Sequence, residues 1–124
     1  MKLIIAGSRS LSASPETISK YVNELLYEMK KEQLFAQDIS VTEVVSGTAR
    51  GIDCDGEKWA EEQGIPITRF PAKWEQFGKS AGYKRNMEMA EYADVLLAIY
   101  DGTSRGTKHM INLAEKKGLK IMIR

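Results

Sequence analysis

The chain has 124 residues, 43% of them hydrophobic and 28% charged, with a formal net charge of +1. That length suits one domain able to bury a core, and the near-neutral balance excludes a global field that draws in nucleic acid or membrane. Cys54 is the one cysteine, which excludes an internal disulfide and suits a reducing compartment.

In chain order, residues 2–6 (KLIIA) are short, apolar and closed by Gly7, the pattern of a buried strand. The apolar run is too short for a signal peptide, and nothing approaches the roughly 20 apolar residues of a membrane span, so a cytoplasmic protein is expected. Ser14 and Pro15 read as an N-cap and first helical residue, and Ile18, Val22, Leu25, Leu26 and Met29 keep helical spacing behind them. Residues 42–46 (TEVVS) form a second strand. After Gly51, a helix places Ile52, Trp59, Ala60 and Gln63 on one face, with Gly64 at its C-terminal cap. Residues 65–70 (IPITRF) are a third strand and 71–79 an irregular connection. A helix runs from near Ser80 to about Tyr92, then a strand at 95–100, a helix from Thr107 to Lys117 and a last strand at 119–123.

This alternation predicts an α/β fold, a Rossmann-like three-layer sandwich spanning residues 1–124 as a single domain. Continuously apolar strands belong in the middle of a mainly parallel sheet, which suits the first and fourth. The proline in the third and the charges around the fifth suit edges. The order 3-2-1-4-5 follows. It puts the topological switch, where ligands of such sheets bind, between strands 1 and 4 at their carboxyl ends.

The loops at that edge share one recipe. Gly7-Ser8-Arg9 follows the first strand. Ser46-Gly47-Thr48, Arg50 and Gly51 follow the second. Gly102, Ser104, Arg105, Gly106 and Thr107 follow the fourth. Glycines let backbone approach a ligand, arginine offers a planar fork for phosphate or carboxylate, and the helix start presents free N–H groups to an anion. A single loop of this kind reads equally well as a capped turn, but three together point to phosphate. Asp53 and Asp55 lie in the first turn of the second helix, where carboxylates complement the helix dipole; Asp53 is also placed to accept hydrogen bonds from a ribose. Two acids do not make a metal cage, and no metal site is expected. Trp74, Phe77 and Tyr83 stand among Lys73, Lys79 and Lys84, and either stack on a base or sugar or close over the core. His109 reads as a solvated residue of an exposed helix start, Cys54 as packing, and Met87, Met89, Met110 and Met122 as core filler. No Walker A or GxGxxG motif occurs.

GSR, SGTARGID, PAKW followed by GKSAGYKRNMEMA, and DGTSRGT followed by MINLA together resemble the YspA-like branch of the SLOG superfamily, relatives of the Smf/DprA and LOG proteins. Much of that branch is bacterial and phage proteins. The resemblance covers nearly the whole chain except the first helix. It implies a nucleotide or nucleotide-derived ligand, such as an ADP-ribose-like or NAD-like metabolite, with no required cofactor; a homo-oligomer is compatible with it. The RKxxM motif of LOG phosphoribohydrolases resembles Arg85-Asn86-Met87-Glu88-Met89, with asparagine for lysine, so Arg85 and Asn86 join the site and Arg85 is the catalytic residue if the chain is an enzyme. The catalytic glutamate of that family falls on Met110, leaving Asp101 or Glu88 as substitutes. A binding module for a phosphoribosyl metabolite is therefore favoured, with Trp74 against the base. An N-glycosidic hydrolase is the alternative, and single-stranded DNA binding like that of DprA the next, disfavoured by the net charge.

Overall fold

The computed structural model describes residues 1–32 and 39–124. Five parallel strands form one sheet in the order β3-β2-β1-β4-β5. They are β1 (Lys2–Gly7), β2 (Glu43–Ser46), β3 (Ile67–Arg69), β4 (Val95–Ile99) and β5 (Lys120–Ile123). β1 and β4 lie side by side at the centre, Leu3 opposite Val95 and Gly7 opposite Ile99. All five residues of β4 are buried, as two covered faces require. The edge strands β3 and β5 retain exposed positions, Arg69 and Ile123 among them.

The period-two side-chain alternation of the strands divides the core into two layers. Leu3, Ile5, Val44, Val95 and Leu97 face α1 (Pro15–Glu32) and α2 (Ile52–Gln63), where they meet Ile18, Val22, Leu25, Ile52 and Trp59. Ile4, Ala6, Val45, Leu96 and Ala98 face α4 (Ala81–Tyr92) and α5 (Arg105–Lys116), where they meet Met89, Ala90, Met110, Ile111 and Ala114. The sequence-based fold, sheet order and edge assignments all agree with this arrangement. Ser14 caps α1 by accepting the Thr17 N–H at 3.2 Å, and Gly64 closes α2 in the left-handed conformation, φ 70°. Among the described residues no helix is long and apolar enough to cross a membrane.

Some local expectations are corrected. The connection after β3 is not irregular: α3 (Trp74–Phe77) and a 3₁₀ turn (Gly78–Ser80) occupy it. α5 begins at Arg105, not Thr107, because Ser104 already has the extended backbone of an N-cap. Gln63 is exposed with the rest of the last turn of α2, so the apolar face ends at Ala60. Met87 is 48% exposed, beside rather than among the inward residues Asn86, Met89 and Ala90 of α4. Cys54 is exposed rather than packed, its thiol donating to the Ala49 carbonyl at 3.3 Å.

Candidate functional site

β1 and β4 are joined beyond their last paired residues. The Ser8 N–H donates to the Ile99 carbonyl at 3.1 Å, and the Asp101 N–H donates to Ser8 Oγ at 3.1 Å. The two chains then part toward helices on opposite faces of the sheet, and a cleft of about 310 Å³ opens between them. Gly7, Ser8, Arg9, Asp53, Arg85, Asn86, Ser104, Gly106 and Thr107 line it, with Ala6, Met89 and Met110 as its apolar part. This is the switch point anticipated from the strand order.

The N-terminus of α5 forms one wall. Ser104 is its N-cap, yet its side chain makes no capping hydrogen bond; Ser104 Oγ is instead hydrogen-bonded with Thr107 Oγ1 at 3.1 Å. The intrahelical ladder starts with the Lys108 N–H donating to the Ser104 carbonyl, so the N–H groups before it have no helical acceptor. Asp101 shapes the approach. Its Oδ1 accepts the Thr103 and Ser104 N–H groups at 2.8 Å each, and these bonds pull its pKa down to about 2.

α4, packed beside α5 on the same face of the sheet, adds Arg85 and Asn86 to the lining. The Arg85 guanidinium donates from Nε to Asn86 Oδ1 at 2.9 Å and from Nη1 to the Gly47 carbonyl. Asn86, 5% exposed, donates from Nδ2 to the Gly106 carbonyl at 3.2 Å and is 3.2 Å from His109 Nδ1. His109 is thus a support of the site rather than a solvated residue. Its ring packs on Tyr83 with centroids 4.4 Å apart, and burial, with Lys116 adding to it, lowers its pKa. An acceptor at Nδ1 for the asparagine amide requires the neutral ring. The sequence carries no sign of this role, since Asn86 and His109 lie on different helices.

Asp53 is the buried acid of the site, beside the exposed Asp101. It is 6% exposed and its Oδ2 accepts the Ala49 N–H at 3.2 Å. Burial raises its pKa to about 6, against the lowering effects of the Ala49 bond and the Arg85 charge. Burial likewise pulls Arg85 below its ordinary value, opposed by Asp53. Gly47 lets the two approach: a Cβ there would lie 2.8 Å from Arg85 Nη1 and 2.9 Å from Asp53 Oδ2. Gly51 solves a similar problem at the mouth. With φ 80°, it would bring any Cβ within 2.7 Å of the Arg9 carbonyl.

The remaining anticipated residues lie around the cleft. Ser46 is buried, donating to Glu57 Oε2 at 2.6 Å and accepting the Thr48 N–H at 3.1 Å, and Glu57 is paired with Arg69 at 2.8 Å. Thr48 sits at φ 63°, a strained position for a β-branched residue. Arg50, Gly102 and Arg105 are exposed and outside the lining. Trp74 is 51% exposed beside the cleft, so it does not close over the core. Asp55 ties α2 to the loop before α1, accepting the Ala13 N–H at 2.9 Å.

No family profile matches the sequence. The chain is 41% identical over 85 residues to the Gene 61 protein of Mycobacterium phage D29, an alignment that spans 64% of this chain and 68% of the phage protein. This chain, with its site at the β1–β4 switch, belongs to the family of that Gene 61 protein.

Proposed function

We propose that the cleft binds a nucleotide or a related phosphoribosyl metabolite, with the phosphate at the N-terminus of α5. One observation carries this reading: the start of α5, which Ser104 leaves without a side-chain cap, and the Arg85 guanidinium line one cleft together with the buried hydroxyls of Ser8 and Thr107. Free N–H groups, a positive helix end and a guanidinium fork are the chemistry that recognises phosphate. The resemblance to the YspA-like branch of the SLOG superfamily supports the same ligand class. Ligand bound only to the native state adds RT ln(1 + [L]/Kd) to stability, about 2.7 kcal/mol at 100 times Kd. Thermal unfolding with AMP, ADP-ribose or NAD against adenosine tests the reading. A phosphorylated ligand raises Tm by roughly 10 °C at that excess and adenosine does so far less; equal shifts defeat the phosphate assignment.

A second reading, hydrolysis of the N-glycosidic bond, is favoured by one feature, the Asp53 carboxyl in the cleft. Against it, the position of the expected glutamate holds Met110, a buried thioether. Asp101 is occupied by backbone N–H groups, and Glu88 lies outside the lining. Arg85 can grip phosphate, but grip that is equal in substrate and transition state adds little to turnover. The expected outcome is slow or absent release of free base from AMP, GMP or CMP, followed by chromatography; robust multiple turnover lost in Arg85→Ala would establish the hydrolase instead.

A further inference from the structure

The cleft is small and unevenly equipped. Its volume of about 310 Å³ is at the low end of the roughly 300–1,000 Å³ of ligand sites. Its lining is suited to phosphate and sugar, and among the described residues no aromatic side chain takes part in it. A nucleobase is a flat, largely apolar plate that gains most from a π-face, and the cleft offers none.

Such a face stands at the rim. Trp74 is 51% exposed, whereas Trp59 is 4% exposed in the core. A Cβ added to Gly82 would lie 3.5 Å from Trp74 Cη2 and 3.9 Å from Arg85 Nη2, so the indole and the cleft arginine flank one point. Exposure here is not looseness. α3 is held by the Gln76 and Phe77 N–H groups on the Lys73 carbonyl, both at 3.0 Å. The Gly78 N–H closes it on the Trp74 carbonyl, and Ser80 Oγ donates to Phe77 O at 2.9 Å. The neighbouring exposed rings have partners: Lys84 Nζ is 4.7 Å from the Phe77 ring centroid, and Tyr83 packs on His109.

We propose that the base of the bound nucleotide lies outside the cleft, stacked on Trp74, so that the protein selects the phosphoribosyl group and reads the base only by its π-face. This rests on the nucleotide reading and narrows it to ligands of broad base tolerance. Stacking is tolerant because every base presents such a face. The test is calorimetric titration of wild type, Trp74→Ala and Trp74→Phe with ribose 5-phosphate and each of AMP, GMP, CMP and UMP. Base stacking on an aromatic residue contributes about 5- to 140-fold in affinity. AMP is expected to exceed ribose 5-phosphate by that factor, Trp74→Ala to remove most of the gain with ribose 5-phosphate unchanged, and Trp74→Phe to keep part of it. The four monophosphates fall within about tenfold of one another.

AMP no tighter than ribose 5-phosphate overturns the stacking alone, and so does unchanged AMP affinity in Trp74→Ala. Preference for a single base by more than about 100-fold, the range of hydrogen-bonded readout, overturns it as well. If Trp74→Ala alters sedimentation but not AMP affinity, the indole belongs to a contact with a second copy. If neither ribose 5-phosphate nor any monophosphate binds, the nucleotide reading itself fails.

Discussion

Arg85 and Asp53 both line the cleft, and each offsets part of the pKa shift that burial imposes on the other. Arg85 spends Nε on Asn86 and Nη1 on the Gly47 carbonyl, which fixes the plane of the guanidinium and leaves its remaining edge for a ligand. Arg85→Ala is expected to weaken phosphate-ligand affinity by about 10- to 150-fold, the value of a charge-assisted hydrogen bond of roughly 1.5–3 kcal/mol. Arg85→Lys restores little of it, because an ammonium cannot make the two fixed bonds and meet phosphate as well; titration of both variants checks this. Asp53 carries a separate signature. Its folded pKa, about 6, is above the ordinary 3.8, so the native state holds its proton more tightly than the unfolded chain. The stability this confers is fully present below about pH 4 and is lost as pH rises through about 6. The loss amounts to about 3 kcal/mol. Asp53→Asn does not titrate. Its stability relative to wild type should therefore grow by up to that amount between pH 4 and pH 7, measured as paired urea midpoints. A difference that stays flat, or shrinks with pH, would show that the carboxyl is not buried as described.

α5 is the element on which binding and stability part company. Gly106 is its second residue, lines the cleft, and has open space where a Cβ would be built. Nothing in the fold requires glycine there, and glycine weakens a helix by up to about 1 kcal/mol relative to alanine. Gly106→Ala should raise Tm of the free protein by about 1–4 °C, while its methyl narrows the proposed phosphate site and lowers AMP affinity at least about tenfold, a loss of roughly 1.4 kcal/mol. Differential scanning of the free variant and titration of the ligand separate the two effects. Lower stability with unchanged binding would mean that the glycine serves the helix and not a ligand. α3 was the element least legible beforehand: a four-residue turn in a stretch rich in glycine, lysine and aromatics has no period to read. The apolar face of α5 is legible in the sequence, whereas its first turn begins two residues before the pattern shows it. The small residues of 102–107 look like loop, whereas Arg105 and Gly106 already belong to the first turn.

At the scale of the molecule, the sheet was readable because burial leaves a compositional mark. VLLAI of β4 and LIIA of β1 have no polar residue to offer to solvent, and only a central position accepts that. The strand order then locates the crevice, and the glycine-arginine loops fill it. What stayed hidden depends on contacts between distant segments. The Asn86–His109 bond links α4 to α5, and the Gly47 carbonyl receives an arginine 38 residues away. Conversely, Arg50 and Arg105 shared the sequence recipe and stand outside the lining, because the motif fixes composition and not the direction of each side chain. The proposed phosphate site lies where β1 and β4 part, against the start of α5. Backbone amide chemical shifts, recorded during titration with AMP and with adenosine, address it most directly. AMP is expected to shift the amides of Ser8, Gly106 and Thr107 while those of α1 stay in place, and adenosine to leave the Gly106 and Thr107 amides nearly unmoved. Shifts confined to α1 or β5, or equal shifts at Gly106 and Thr107 with both ligands, would contradict it.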